Sequence, residues 1–287
     1  MTARLVFWNV QHGNAAYLQT PSGQRIVVDL GTGDLSSGRE AFSPLRHLKS
    51  NWNVHRLDAA IVSHPHEDHL GDILELENFG PRVLHRPRTL PEQEVSANGR
   101  GELDVIKKYI ELDKRFVHPV QEATNPLLSA NNGGVSIETF GPLSMSDSNL
   151  NNHSIVTVIS YGRIKILLPG DNEDKSWVQL LFRDDFKEAI KGTDILLASH
   201  HGRDAGFSEN LFHHINPWLT VISDGPLGST SRTERYAAKT RGWTVHKRRS
   251  GNSEDRKCVT TRRDGVITVD FGLNPGGNGN YISVFVD

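Results

Sequence analysis

The sequence predicts an α/β protein of the α+β type, in which two mixed β-sheets pack face to face with helices on their outer sides. Short apolar runs typical of strands recur in both halves of the chain, and segments with helical spacing separate them. The runs at 57–63 and 194–198 are almost continuously apolar, as strands buried on both faces are, and both lead into histidines. We therefore expect a layered fold with polar side chains gathered at strand ends.

The composition is that of an ordinary soluble globular protein, and 287 residues can bury a large core. No shift in composition marks a linker, so residues 1–287 are predicted to form one domain. No signal peptide is visible after Met1, and no apolar run approaches the roughly 20 residues of a membrane span. The single cysteine, Cys258, excludes an internal disulfide framework. These features predict a cytoplasmic protein that does not contact membranes.

The first half of the chain alternates strands and helices. Strands are predicted at 5–8, 15–20, 25–30 and 57–63, helices at 44–51, 72–79 and 102–116, and loops at 86–101 and 119–134. The second half continues in the same manner. Strands are predicted at 135–140, 155–161, 164–168, 194–198, 219–223, 243–247, 257–261, 266–271 and 281–286, and helices at 174–190, 207–215 and 233–240.

A dense cluster of metal-binding side chains follows the buried strand at 57–63. Its sequence is His64-Pro65-His66-Glu67-Asp68-His69. Imidazole nitrogens and carboxylate oxygens are ligands that zinc and manganese accept. On an extended segment His64 and His66 point to the same side, and a turn after them lets Asp68 and His69 serve a second ion. The cluster therefore predicts a site for two divalent metal ions, Zn²⁺ first and Mn²⁺ as the other possibility.

The pattern H-x-H-x-D-H after a hydrophobic strand resembles the signature of the metallo-β-lactamase superfamily. That resemblance implies an αββα sandwich with the metal site at one sheet edge. It implies that Asp171, which follows an apolar strand and Gly170, bridges the two ions. It also implies that His200 completes the second ion's ligands and that His201 serves as a leaving-group acid, although the sequence alone leaves the roles of these two histidines open.

Within that superfamily the chain is most similar to the hydrolase domain of ComEC-type DNA-uptake proteins. That group has an opening D-V-G-Q-G-D-A, an N-N-x-S-[LI]-V-L hairpin that ends in G-D, and an H-H-G-S. The corresponding segments here are N-V-Q-H-G-N-A at 9–15, N-N-H-S-I-V-T at 151–157, G-D at 170–171 and H-H-G-R at 200–203. The closing segment 260–267 also resembles the group's final hairpin.

The chain departs from that pattern at several positions. Asn9 and Asn14 replace acids, Arg203 replaces a serine, and residues 228–231 stand where an R-Y-G-H-P segment is expected. A third histidine ligand for the first ion is also absent from the pattern. Asn152 and His153 are the candidates for that position.

The resemblance implies a hydrolase that uses a metal-bound hydroxide. In that scheme His64 and His66 hold the first ion, Asp68, His69 and His200 hold the second, and Asp68 also orients the nucleophile as a catalytic residue beside His201. We predict a phosphodiesterase or nuclease that cleaves DNA or RNA.

A basic segment supports this choice of substrate. Residues 231–263 hold eleven basic side chains against three acids, Glu234, Glu254 and Asp255. The predicted nucleic-acid contacts are Arg203, Arg232, Arg235, Lys247, Arg248 and Arg249.

Two other functions are compatible with the sequence. One is hydrolysis of a small substrate, which could be a phosphoryl ester, a lactone or a β-lactam. The other is a metal-stabilised protein without activity, which serves a partner. A free-standing protein that resembles this group is also expected to work with a separately encoded protein partner.

Overall fold

The computed structural model describes residues 1–33, 41–88, 90–98, 100–143, 147–225, 230–274 and 279–287. Two β-sheets lie face to face, and helices cover their outer sides. This architecture confirms the predicted fold class, and it is the αββα sandwich that the metallo-β-lactamase resemblance implies. No helix among the described residues has the length and apolar character to cross a membrane.

The larger sheet has nine strands within the described ranges. Numbered in chain order, and given in their order across the sheet, they are β12 (Ser253–Arg256), β11 (Trp243–Lys247), β15 (Asn280–Val286), β14 (Ile267–Leu273), β1 (Thr2–Phe7), β2 (Ala15–Gln19), β3 (Arg25–Leu30), β4 (Ala59–Ile61) and β5 (Val83–His85). Strands β3, β4 and β5 are parallel to one another, as are β11 and β15, and the other pairs are antiparallel.

The smaller sheet has six strands within the described ranges. Their order is β13 (Cys258–Thr260), β10 (Leu219–Ile222), β9 (Ile195–Leu197), β8 (Ile164–Leu168), β7 (Val156–Tyr161) and β6 (Val135–Phe140). Strands β8, β9, β10 and β13 run parallel. Because parallel strands end at the same edge of a sheet, the segments that follow β8, β9 and β10 come together there.

The described helices are short. They are α1 (Pro44–Trp52), α2 (Glu67–Leu70), α3 (Glu92–Asn98), α4 (Asp104–Arg115), α5 (Asp174–Phe182), α6 (Asp184–Ile190), α7 (Thr233–Ala238) and α8 (Thr261–Asp264). A 3₁₀ helix spans Ile73–Phe79, and shorter 3₁₀ turns lie at Glu122–Thr124, Ser129–Asn131, Leu150–His153, Ser199–Gly202, Asp204–Gly206 and Leu211–His213.

Alternation along the strands divides the apolar residues among three layers. On β1, Leu5 and Phe7 face the other sheet, while Val6 lies on the outer face with the residues that pack under α1 and α4. The outer face of the smaller sheet packs against Trp177 of α5 and Tyr236 of α7. The central layer draws side chains from both sheets, so the two sheets share one core.

Most predicted elements are confirmed, and four strands match residue by residue: β3, β6, β8 and β11. The predicted helix at 174–190 is wrong in one respect, because Arg183 has extended backbone (φ −85°, ψ 125°) and separates α5 from α6. The strand predicted at 257–261 ends at Thr260, whose side chain accepts a hydrogen bond from the Arg263 backbone and so starts α8.

Five elements were absent from the prediction: β5, α2, α3, β12 and α8. Four of them have only three or four residues, too few to show a period. The remaining one, α3, lies within the predicted loop 86–101, and it buries only Val95.

Candidate metal centre

The candidate site lies where segments after β4, β8 and β9 meet at one edge of the sandwich. After β4 a short connection leads to His66, whose backbone is extended (φ −90°, ψ 152°), and the chain then enters α2, which carries Asp68 and His69. The Ser63 carbonyl accepts a hydrogen bond from Ile155 N at 2.9 Å, and this bond links the segment to the smaller sheet. Gly170 has φ 62°, and a Cβ there would lie 2.8 Å from Ser63 Cβ, so only glycine permits this close approach.

Four side chains form what we call the four-ligand group: Asp68, His69, Asp171 and His201. One ligand atom from each lies within 4.8 Å of all the others. His69 Nε2 is 3.2 Å from Asp171 Oδ1, and His201 Nε2 is 3.2 Å from Asp68 Oδ2. The carboxylate of Asp171 reaches the second histidine as well, since its Oδ2 is 3.4 Å from His201 Nε2.

Three further imidazoles, which we call the outer group, lie beside the four-ligand group: His64, His66 and His200. His64 Nε2 is 2.9 Å from His66 Nδ1. His64 Nε2 and His200 Nε2 each lie 4.0 Å from Asp171 Oδ2. Asp171 therefore stands between the two groups, which is the position of a bridging carboxylate.

The donor set fits divalent metal ions. Nitrogen and oxygen atoms converge from two carboxylates and two imidazoles, which is ligand chemistry that zinc and manganese accept. The two Nε2 atoms of His69 and His201 face each other at 3.4 Å. If both are protonated, neither can accept a hydrogen bond from the other. A cation between the four side chains removes this conflict.

Hydrogen bonds on the far side of each ring orient the imidazoles of the four-ligand group. His69 Nδ1 is 2.9 Å from the buried carboxylate of Asp29, and His201 Nδ1 donates to the Ser223 carbonyl at 3.1 Å. Such partners fix the tautomer and direct Nε2 toward the site, as is usual for metal-binding histidines.

The imidazole of His200 has a carboxylate partner of its own. Its Nδ1 lies 3.0 Å from Glu173 Oε1. Glu173 in turn accepts hydrogen bonds from the side chains of Asn149 and Asn151, each at 2.8 Å.

Backbone strain is concentrated at this edge. Among the described residues six that are not glycine have positive φ, and three of these are Asp29 (φ 59°), His200 (φ 49°) and His201 (φ 53°). Left-handed backbone costs free energy for residues with a Cβ, and it is typical of functional sites that the surrounding structure holds in place.

The pKa shifts of the four-ligand group show that positive charge stabilises its two carboxylates. Burial raises the pKa of Asp171, but the charges of His201 and His69 outweigh it and bring the pKa well below the usual range. Burial lowers the pKa of His201, but Asp171 and Asp68 outweigh it and raise the pKa to about 9. Without a cation, protons on the histidines balance the two carboxylates, and a divalent ion supplies the same charge.

Two imidazoles of the outer group, those of His64 and His66, differ from the four-ligand group in this respect. Burial, with the neighbouring His69 and His66, lowers the pKa of His64 well below its usual value. Burial also lowers the pKa of His66. These rings are therefore neutral and able to donate a lone pair.

The structure places several predicted site residues differently from the expectation. His201, expected as an acid, lies in the four-ligand group, while His200, expected there, lies in the outer group. Asn152 and His153 do not face the site. Asn152 binds Asp147 and Ser176 through its side chain, and His153 Nε2 is 2.7 Å from the Asp147 carbonyl.

Sequence reasoning missed Asp29 and Glu173. Asp29 is an acid at the end of a buried apolar strand (V-V-D-L), a position that is costly unless the carboxylate is bonded. It accepts from Ser63 N at 2.7 Å and from Asn14 Nδ2 at 2.9 Å. An acid within a buried apolar strand can be identified from the sequence, so Asp29 could have been predicted as a bonded carboxylate. Glu173 gave none, because it resembles an ordinary acid before a helix.

The departures in the opening segment have structural explanations. Asn14 donates to Asp29, so an aspartate there would place two carboxylates together in the core. Asn9 accepts from Gln11 N at 3.2 Å in a local turn. Of the segment at 228–231, residues 228 and 229 lie outside the described residues.

The predicted basic contacts lie in different surroundings. Four of them pair with acids: Arg232 and Arg235 with Asp204, Lys247 with Glu254, and Arg248 with Asp287. Arg249 is exposed in the turn after β11. Arg203 is the predicted contact that reaches the metal centre, where its Nη2 lies 3.1 Å from His12 Nε2.

Comparisons with known proteins find short sequence matches. No family model matches the chain. The chain is 28% identical to Recombination protein 2 of Haemophilus influenzae over 92 residues, which are 32% of this chain and 11% of that protein. It is 34% identical to a metal-dependent hydrolase of Saccharolobus solfataricus over 71 residues, which are 25% of this chain and 28% of that protein. The matches thus span less than a third of either relative's length.

Among solved structures, the chain is similar to a diphosphatase of the PhnP family. The likeness covers 78% of this chain and 87% of that chain, with 14% identity and a TM-score of 0.43.

Proposed function

We propose that this chain is a metal-dependent hydrolase whose substrates are phosphodiesters, DNA or RNA first among them. The coarser part of this proposal, metal-dependent hydrolysis, is supported by the fold, by the donor set and by the match to a metal-dependent hydrolase. The observation that carries it is the position of Asp171 between two groups of metal-binding side chains.

The residues divide into two ligand sets in this proposal. Asp68, His69 and His201 would hold one ion, His64, His66 and His200 would hold the other, and Asp171 would serve both. When bound, a pair of divalent ions supplies Lewis acidity that lowers the pKa of water and stabilises negative charge on the attacking and leaving oxygens. This assignment provides a third imidazole for the outer ion without Asn152 or His153.

In this proposal an acidic side chain of the site orients the attacking water and receives its proton. The side chain of Asp68 is 26% exposed, so it reaches the opening of the site, whereas Asp171 is buried. Asp68 Oδ2 lies 3.2 Å from His201 Nε2 and 3.5 Å from His12 Nε2. From this position Asp68 can accept a proton from an attacking water and hold that water in line with the substrate.

Two considerations support a phosphodiester over a neutral ester. A pair of cations suits in-line displacement at phosphorus, in which both entering and leaving oxygens carry charge. The match to a protein named for recombination agrees with a nucleic-acid substrate.

A small phosphoryl ester is the second candidate, and the pairing of the basic segment favours it. Because four of the predicted nucleic-acid contacts already have acidic partners, they leave little excess charge for a long polyanion.

The predicted cytoplasmic location and separate protein partner stay predictions.

The test is hydrolysis by purified protein with added Mn²⁺ or Zn²⁺. Labelled DNA, labelled RNA and bis-p-nitrophenyl phosphate are the substrates, and bound metal is counted in the same samples. Asp68→Ala/His69→Ala is the inactive variant, and His55→Ala, an exposed histidine elsewhere, is the matched control.

Each outcome has a definite meaning. Metal-dependent cleavage that the double variant loses and the control keeps supports the proposal. Turnover of the small ester with intact DNA and RNA selects the second candidate. Two bound ions per chain with no turnover of these three substrates would contradict the proposed phosphodiesterase and favour a metal-stabilised protein without this activity.

A further inference from the structure

Two residues that depart from the ComEC-type pattern contact each other at the opening of the metal centre. His12 stands where that pattern has glutamine, and Arg203 stands where it has serine. They are 191 positions apart in the chain, yet Arg203 Nη2 lies 3.1 Å from His12 Nε2. Since the two departures meet, they are best explained as one altered feature.

The backbone holds both side chains close to the metal ligands. The neighbouring Gly13 carbonyl accepts a hydrogen bond from Ser223 Oγ at 2.6 Å, and Asn14 N donates to the Asp68 carbonyl at 3.1 Å. Arg203 N donates to the His200 carbonyl at 2.8 Å. Ligand residues thus fix the chain on both sides of the pair.

The close approach of a third segment confines His12 further. A Cβ at Gly225 would lie 3.2 Å from the Cβ and the backbone nitrogen of His12. The segment after β10 therefore lies against the backbone of residue 12.

The pair lies beside two members of the four-ligand group. His12 Nε2 lies 3.5 Å from Asp68 Oδ2, and the rings of His12 and His201 are 4.8 Å apart. The His12 side chain is 36% exposed and Arg203 is half-buried, so both are open to a substrate.

Arg203 also differs from the other predicted basic contacts in its charge balance. Within the described parts of the chain no acid forms an ion pair with Arg203, whereas Arg232 and Arg235 share Asp204. A guanidinium has five N–H donors in a planar fork that matches phosphate oxygens, and here one of its nitrogens contacts a histidine ring. The remaining donors are available to an anion.

We infer that His12 and Arg203 form an anion-binding subsite that holds a non-bridging oxygen of the substrate's phosphoryl group beside Asp68. The inference rests on the proposed function and names its specificity: phosphate esters are bound, and neutral esters or lactones gain nothing from the pair. His12 accepts a hydrogen bond from Arg203 and thereby fixes the guanidinium, which contacts the substrate.

The test compares Arg203→Ser, Arg203→Lys and His12→Gln in the metal-loaded protein. Arg163→Ser, in the β7–β8 turn at the far ends of those strands from the site, is the matched control. Three quantities are measured: bound metal per chain, affinity for inorganic phosphate by calorimetry, and KM and kcat for bis-p-nitrophenyl phosphate and for neutral p-nitrophenyl acetate.

We expect Arg203→Ser to weaken phosphate binding and raise KM for the phosphodiester by roughly tenfold or more, with kcat changed much less. Arg203→Lys keeps the charge without the fork and is expected to fall between wild type and Arg203→Ser. His12→Gln is expected to give a smaller change in the same direction. Bound metal, and KM for the neutral ester, should not change in any variant.

Unchanged phosphate affinity and unchanged phosphodiester KM in Arg203→Ser would overturn the subsite while leaving the proposed hydrolase intact. Phosphate binding that depends on Arg203, in a protein that turns over no phosphodiester, would support the subsite and contradict the proposed function. If Arg203→Ser lost its metal, Arg203→Lys with metal retained would decide, since wild-type KM in that variant would also overturn the inference.

Discussion

The metal-centre edge and the basic segment at 231–263 are both clusters in the sequence, but only one is a cluster in space. The histidines and acids after β4, β8 and β9 converge until four ligand atoms lie within 4.8 Å of one another. The basic residues lie instead on α7, β11, β12, α8 and the turns between them. Seven of the eleven form ion pairs, namely Arg232, Arg235, Lys239, Lys247, Arg248, Arg256 and Arg262.

The difference teaches how to weigh residue clusters in a sequence. Parallel strands end at the same edge of a sheet, so the residues that follow β8 and β9 are brought together by topology. The residues that follow β4, in the other sheet, join them because the two sheets pack face to face. Basic side chains that are spread over several elements can instead form ion pairs with acids elsewhere in the chain. Here those acids are Asp204, Glu209, Asp224 and Asp287. Counting acids only within the segment therefore overstated its positive charge.

The largest effect is expected at Asp171, so this residue gives the strongest test of the contrast between the metal-centre edge and the basic segment. Asp171→Asn keeps the size of the side chain but removes the charge shared by both ligand groups. We expect both ions to be lost and metal-dependent turnover to fall by roughly a thousandfold or more. Metal analysis and steady-state kinetics measure this, with the exposed Asp174→Asn as the matched control. Normal metal content with normal turnover would remove Asp171 from the centre.

Asp29 tests whether a residue that holds a ligand matters without touching the ion. In Asp29→Asn, His69 Nδ1 loses its carboxylate partner. Loss of such a partner is expected to weaken metal binding about 10- to 100-fold. Titration with a competing chelator measures the affinity, and Asp104→Asn, an exposed acid on α4, should behave as wild type. An unchanged affinity would mean that the His69 ring is fixed by packing alone.

Glu173 tests the division of the centre into the four-ligand group and the outer group, because it contacts an imidazole of the outer group only. Glu173→Gln removes the charge 3.0 Å from His200 Nδ1. We expect metal binding to weaken by about tenfold, the lower end of the range for such partners, with one ion affected and the other retained. Glu138→Gln, on β6, is the control. A loss of both ions together would contradict the division into two groups.

The basic segment should tolerate substitution. Arg235 and Lys247 are partly exposed and paired with Asp204 and Glu254. Since an exposed ion pair contributes at most about 1 kcal/mol, Lys247→Ala should lower the free energy of unfolding by no more than that. Arg235→Ala should lower it by at most about 2 kcal/mol, because the Arg235 guanidinium also lies 3.9 Å from the centroid of the Phe207 ring. KM for DNA should stay within about twofold. A tenfold rise in KM for DNA at low salt in either variant would show that the basic segment binds nucleic acid.

The last prediction concerns Cys258 within the same segment, and it tests burial and not function. Burial raises the pKa of its thiol to about 12. Only the thiolate reacts with alkylating reagents, and its fraction falls tenfold for each pH unit below the pKa. In the folded protein at pH 8, iodoacetamide should therefore modify Cys258 at least about 100-fold more slowly than in denatured protein. Mass spectrometry follows the reaction, and rapid modification of the folded chain would show that the thiol is accessible.

Sequence patterns predicted the layers, most elements and the histidine motif because those depend on local periodicity and on strand ends. The exchange of His200 and His201 was not predictable, since it depends on two left-handed backbone positions that no local pattern required. Asp29 could have been identified as a buried acid in a strand. Glu173 and the contact between His12 and Arg203 depend on long-range packing, which a single sequence does not reveal.

The most direct test of the central claim is the location of the ions by anomalous X-ray scattering from crystals grown with Zn²⁺ or Mn²⁺. We expect two peaks on either side of Asp171, each about 2.0–2.3 Å from its ligands. One should lie among Asp68, His69 and His201, and the other among His64, His66 and His200. No peak at this edge, or an ion that does not contact Asp171, would contradict a centre built around Asp171.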